Sequence, residues 1–216
     1  EKYYTLMNNV AEKFGDKVRK AGKSVGLRIN PECSTQEGHE IYDPCAKGSR
    51  FGVTLKHFRP ELLEGVSGHH FHTLCEQNAD ALVATLDVVE EKFGHWLSQF
   101  EWINFGGGHH ITKEGYNVDL LEDCIKRMQE KYNLQVYLEP GEAIALNAGF
   151  LVTTVLDTLE NDINIAIVDT SACCHMPDVL EMPYRPPLFS SGEAGNKSYT
   201  YRLGGPTCLT GDIIGD

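Results

Sequence analysis

Between residues 68 and 138 two long stretches with helical periodicity alternate with three short β-rich ones, and this rhythm limits the fold more than any other feature of the chain. Over 79–97, Leu82, Leu86, Val89 and Phe93 fall on one side of an amphipathic helix. Residues 118–132 read as a second helix, and 68–72, 102–105 and 135–138 as strands. Strands alternating with helices of this length predict βαβ units and a parallel sheet. Upstream, Leu6, Val10, Phe14 and Val18 predict a helix over the first twenty residues, and 24–30 reads as a strand closed by Pro31. The polar stretch 32–50 reads as a long loop, a kind of segment that often carries function. After Gly141 the texture changes: 152–156 and 163–169 are β-rich with no long helix between them. A second, all-β region is expected from about residue 145.

Composition narrows the function. With 216 residues the chain can bury a real core, and 41% hydrophobic and 23% charged residues are ordinary soluble values. A formal charge of -12 argues against a nucleic-acid binder and suits a cationic substrate. The seven cysteines include no C-x-x-C pair, so no structural zinc site is expected. Their scatter predicts reduced thiols in a cytoplasmic enzyme. No run is apolar enough to span a bilayer, so no membrane association is expected.

Ligands of parallel α/β folds sit at the carboxyl ends of strands, and the unusual clusters fall at such ends. Gly106-Gly107-Gly108 follows one strand; its backbone N–H groups can wrap a phosphate, with a plain turn as the alternative. Glu139-Pro140-Gly141-Glu142 closes another, where a carboxylate can hold a ring nitrogen protonated or simply face solvent. Gly68-His69-His70-Phe71-His72 reads either as metal ligands or as core and ring-stacking histidines. Cys208, in the turn after Gly205-Pro206-Thr207, is an acid or nucleophile if its pKa is lowered, and otherwise a small apolar side chain. A further polar cluster, Asp169, Cys173, Cys174, His175 and Asp178, follows a strand in the second region.

In order, Leu27 to Pro31, Ser49 to Gly52, Gly68-x-His70-Phe71-His72, Gly106 to Gly108, Glu139-Pro140-Gly141 and Gly205 to Cys208 resemble the motifs of the pyridoxal-phosphate-dependent ornithine and diaminopimelate decarboxylases. His72 to Glu76, Asn104 to Lys113, Leu138 to Ala143, His175 to Asp178 and Thr207 to Asp212 are similar in detail to the carboxynorspermidine/carboxyspermidine decarboxylases of that superfamily. The resemblance covers essentially the whole chain.

It implies an α/β fold: a partial (β/α)8 TIM-type barrel of pyridoxal-phosphate fold type III over 1–144, then part of a C-terminal β domain over 145–216. It implies pyridoxal 5'-phosphate as cofactor, no metal, a polyamine substrate and a homodimer with shared active sites. His72 would stack on the pyridine ring, Gly106, Gly107 and Gly108 would cradle the phosphate, and Arg28 would support the cofactor face. Glu139 would bond the pyridine nitrogen, and Cys208 would reach into the partner subunit's site. Glu142, standing where relatives carry an arginine, and Asp178 would bind the substrate's amines. Leu209 replaces an acid of the relatives, and Cys75 a phosphate-binding serine. The Schiff-base lysine of these enzymes would lie upstream of Glu1, so the chain is expected to be part of a longer protein. Decarboxylases of diaminopimelate, ornithine or arginine, or a non-catalytic paralogue, are the alternatives.

Overall fold

Strands β1 (Gly26–Arg28), β2 (Gly68–His70), β3 (Trp102–Asn104) and β4 (Gln135–Tyr137) form a parallel sheet in that order, the arrangement that strand–helix alternation predicts. The computed structural model describes residues 17–18, 20–36, 40–193 and 195–216. The helix expected over the first twenty residues lies almost wholly outside them. Helix α1 (Ala79–Leu97) crosses from β2 to β3, and α2 (Val118–Tyr132) from β3 to β4. Both start where an asparagine satisfies a first-turn N–H: Asn78 accepts from Ala79 and Asn117 from Leu120. Asn133, in the left-handed region at φ 56°, ends α2.

Because strand side chains alternate, Leu27, His69 and Ile103 point to one face and are fully buried there. They join Leu82, Leu86, Val89 and Phe93 of α1 and Leu121, Cys124 and Met128 of α2 in one core. Each large apolar side chain of that stripe contributes roughly 1.5–3 kcal/mol. His69 belongs to this core. It packs against Phe58, Phe93 and Phe100, and burial pushes its pKa down to about 4, so it is neutral.

The chain divides into two compact units, Glu1–Ala148 and Gly149–Asp216. In the second, β5 (Val155–Asn161), β6 (Ile163–Val168), β7 (Arg202–Gly204) and β8 (Ile213–Gly215) form a mixed sheet: β6 and β7 are parallel, the other neighbours antiparallel. Val168, Ala172, Val179 and Ile214 make its small core. Short helices α4 (Ala172–His175) and α5 (Asp178–Glu181) lie between β6 and β7. The β-rich reading of 152–156 is displaced: β5 begins at Val155, and just ahead of it the Asp169 carboxylate accepts from Thr153 Oγ1 and Thr154 N–H. No helix among the described residues is long and apolar enough to cross a membrane.

Candidate active site

Parallel register sets Arg28, His70, Asn104 and Tyr137 side by side on the face of the sheet turned away from the helices, at its carboxyl end. Two residues earlier on the same face stand Gly26, Gly68, Trp102 and Gln135. The Trp102 indole lies across both glycines, where a Cβ on either would run into the ring, and its Nε1 donates to Ser24 Oγ at 2.8 Å.

Beyond the strands the ladder continues for one more step. Phe105 N–H donates to Tyr137 O and Glu139 N–H to Gly106 O at 2.8 Å, which sets Glu139 beside the glycine run. The two Glu139 oxygens are engaged separately: Oε2 lies 3.2 Å from His70 Nε2, and Oε1 accepts from Asn104 Nδ2 at 3.0 Å. Asn104 Oδ1 in turn accepts the Gly106 N–H at 2.8 Å. With its side chain 54% exposed, Glu139 keeps lone pairs open to a further donor. Burial, and after it the nearby Arg28 charge acting against Glu139, holds His70 below the ordinary histidine range. His72 is lowered too, by burial and then by Arg28. Both imidazoles are neutral at pH 7. Gly107 N–H donates to His72 Nδ1 at 3.4 Å, which leaves the ring proton on Nε2.

The glycine run has a tighter constraint than open access for a ligand. Gly106 and Gly108 take φ of 72° and 81°, and a Cβ would meet Phe71 O at Gly106, Glu139 O at Gly107 and Leu74 O at Gly108. The chain's own backbone therefore demands these glycines. Two of their N–H groups, those of Gly106 and Gly107, are already turned to Asn104 and His72.

Around this centre, Arg28 Nη2 donates to His72 O at 3.4 Å, and its guanidinium lies 4.7 Å from the centre of the Phe51 ring, with Arg50 also over that ring. Glu142 opens α3 (Glu142–Ala145), its Oε1 3.6 Å from Nε2 of the buried His110. Burial, then hydrogen bonding to Glu142, raises the Glu76 carboxyl above its usual range. His109 is buried, with its pKa down at about 4. Strand β2 ends at His70, so His70 and His72 are not ladder neighbours. Among the described residues no group of three His, Cys, Asp or Glu side chains stands where it could hold a metal ion. In the second unit, Cys208 is exposed in the turn between β7 and β8, and Asp178 begins α5.

Residues 9–216 match the family described as pyridoxal-dependent decarboxylase, C-terminal sheet domain. The chain belongs to this family. Among curated relatives it is 44% identical to the carboxynorspermidine/carboxyspermidine decarboxylase of Campylobacter jejuni, over 99% of this chain and 59% of that one. It is 40% identical to the carboxyaminopropylagmatine decarboxylase of Synechocystis, over 94% of this chain and 53% of that one. The solved structure of carboxynorspermidine decarboxylase from C. jejuni, complexed with norspermidine, is similar with a TM-score of 0.78 at 44% identity, over 95% of this chain and 55% of that one. The chain thus spans a little over half the length of these decarboxylases.

The structure brings together Arg28, His70, His72, Gly106 to Gly108 and Glu139 at one end of the parallel sheet. Two contributors were missed as site residues by reasoning from sequence. Asn104 was signalled by its two-residue offset from Trp102, which puts it on the same face as His70. Glu76, beside Glu142, carried no local signal; only the parallel bridge between Gln77 and His109 brings its loop to the site.

Proposed function

We propose that the whole protein is a pyridoxal 5'-phosphate-dependent carboxy-lyase that converts carboxynorspermidine or carboxyspermidine to norspermidine or spermidine. The first unit is read as part of a (β/α)8 barrel of fold type III and the second as part of the β domain, with active sites shared in a homodimer. The relatives named above support the substrate class. Within the chain, one observation carries the reading: a half-exposed Glu139 carboxylate at the end of a parallel strand, steadied at each oxygen by a neutral side chain.

The residues present fit the cofactor. Glu139 retains lone pairs for the N–H of a protonated pyridine ring, and the neutral His70 leaves no imidazolium to compete for them. His72 offers a flat, uncharged ring for stacking, Arg28 supports the cofactor face, and Gly106, Gly107 and Gly108 line the phosphate side. Bound pyridoxal phosphate supplies the sink for the electron pair left when carbon dioxide departs. Glu139 sustains that chemistry by favouring the charged ring through short-range attraction in a partly desolvated site. Cys208 Sγ–H gives a proton to the carbon that lost its carboxylate. Glu142 and Asp178 take up the substrate's distal ammonium groups.

Glu139→Ala in the full-length protein is expected to lower kcat on the order of 10²–10³-fold with little change in KM. Near-normal turnover would refute the assignment. The full-length protein should also absorb visible light and lose that band on borohydride reduction; a colourless protein sinks the reading. Carbon dioxide release from carboxynorspermidine, carboxyspermidine, carboxyaminopropylagmatine, diaminopimelate, ornithine and arginine ranks the substrates. Preference for any of the last three would replace the polyamine reading.

A further inference from the structure

Asp212 is the only carboxylate among the buried polar side chains of the described residues, at 3% exposure. Its two oxygens serve two different segments. Oδ1 accepts from Ser171 Oγ at 3.1 Å and from Ala172 N–H at 2.8 Å, at the start of α4. Oδ2 accepts from Thr207 Oγ1 at 2.7 Å and, more weakly, from Thr207 N–H at 3.4 Å, in the turn that carries Cys208. The backbone closes the same turn: Gly205 N–H donates to Asp212 O and Asp212 N–H to Leu209 O. A Cβ at position 205 would collide with the carboxylate, which accounts for the glycine there. On the other side α4 runs into α5 through Val179 N–H to Met176 O and Leu180 N–H to Pro177 O, so the grip at Ser171 and Ala172 extends to Asp178.

A buried acid is expensive to desolvate and persists where donors saturate it. Burial works to raise the Asp212 pKa, but bonds from Thr207, Ser171 and Ala172 outweigh it and hold the carboxyl below its usual range. The groups that lower it are neutral donors: two hydroxyls and two backbone N–H groups. A core that needed only packing would be served by an apolar residue of similar size.

We propose that Asp212 is a positioning residue that ties the turn bearing Cys208 to the segment bearing Asp178, so that the proton donor and an amine-binding carboxylate are held as one unit. The inference rests on the decarboxylase reading and on the role it gives Cys208. The two oxygens make an unequal prediction for substitutions. In Asp212→Asn the remaining carbonyl oxygen satisfies Ala172 N–H, which has no other way to turn. The new amide then faces Thr207, whose N–H loses its acceptor, so the Cys208 side loosens first. Thr207→Val removes the hydroxyl at constant shape and should act alike, while Thr207→Ser keeps it.

The test uses the full-length, cofactor-loaded protein. Asp212→Asn and Thr207→Val are expected to lower kcat about tenfold or more with KM within about threefold, and Thr207→Ser to restore kcat. Amide exchange across 205–211 should quicken in the first two variants and stay unchanged in β1 to β4. If both variants keep wild-type kcat while Cys208→Ser loses it, the positioning role is wrong and the decarboxylase reading stands. If Cys208→Ser itself keeps full turnover, the donor role of Cys208 fails and the inference falls with it. Should Asp212→Asn not fold, Thr207→Val against Thr207→Ser decides alone.

Discussion

Asn104 holds Glu139 by one end of its amide and the glycine run by the other, so the carboxylate and the Gly106 N–H are fixed by a single side chain. Asn104→Leu should leave the core intact but release Glu139, weakening cofactor retention about tenfold, as a lost hydrogen bond to a charged group does. Dialysis of the loaded full-length protein, followed by its visible absorbance, measures this. The buried histidines give a second expectation. His69 and His109 stay neutral in the fold down to about pH 4, whereas in an unfolded chain they take up protons near pH 6.5. Between those values the unfolded state binds more protons, so stability falls as pH falls, at about 1.4 kcal/mol per pH unit for each histidine. The thermal midpoint should drop steeply from pH 6.5 to pH 4.5, and His69→Leu should flatten that slope. The place of Glu139 just beyond a strand was legible in the sequence, because Pro140-Gly141 ends the β-rich run before it. The histidine run is open in the sequence between metal ligands and core or ring-stacking side chains; the strand's alternation sends His69 to the core and His70 to the opposite face.

At the level of elements, α1 and α2 fall at Ala79–Leu97 and Val118–Tyr132, where apolar periodicity and asparagine caps place them. The parallel strands are each three residues long, too short for alternation to define their ends. Strand β5 was harder still, because Asp157 and Glu160 interrupt its pattern and every residue in it is exposed. The contact between Trp102, Gly26 and Gly68 was invisible, since it joins three strands through register alone. It makes a sharp expectation. Gly68→Ala drives a methyl into an indole pinned by Ser24, and such overpacking should cost about 1–3 kcal/mol. Trp102→Ala should also destabilise the sheet, yet the pair together should cost less than the sum. A double-mutant cycle by chemical denaturation reads the coupling.

For the molecule as a whole, apolar side chains stand in the open: Phe150 at 88%, Val152 at 86% and Phe189 at 89% exposure. Among the described residues β4 is an outer member of its sheet with one strand neighbour, while β1 has β2 on one side and on the other the bridge through Val53. Residues 1–216 expressed alone should therefore self-associate, eluting ahead of a 24.1 kDa monomer in size-exclusion chromatography. A single monomeric peak with a sharp unfolding transition would contradict this. The division into an α/β part and a β part was readable from the change of texture after Gly141; the surface left bare by each part was not, because burial depends on what packs against it. The indole across β1 and β2 has one last consequence. It fills the face of the sheet two residues beneath the polar row, so room at that level opens only if position 102 carries a smaller side chain.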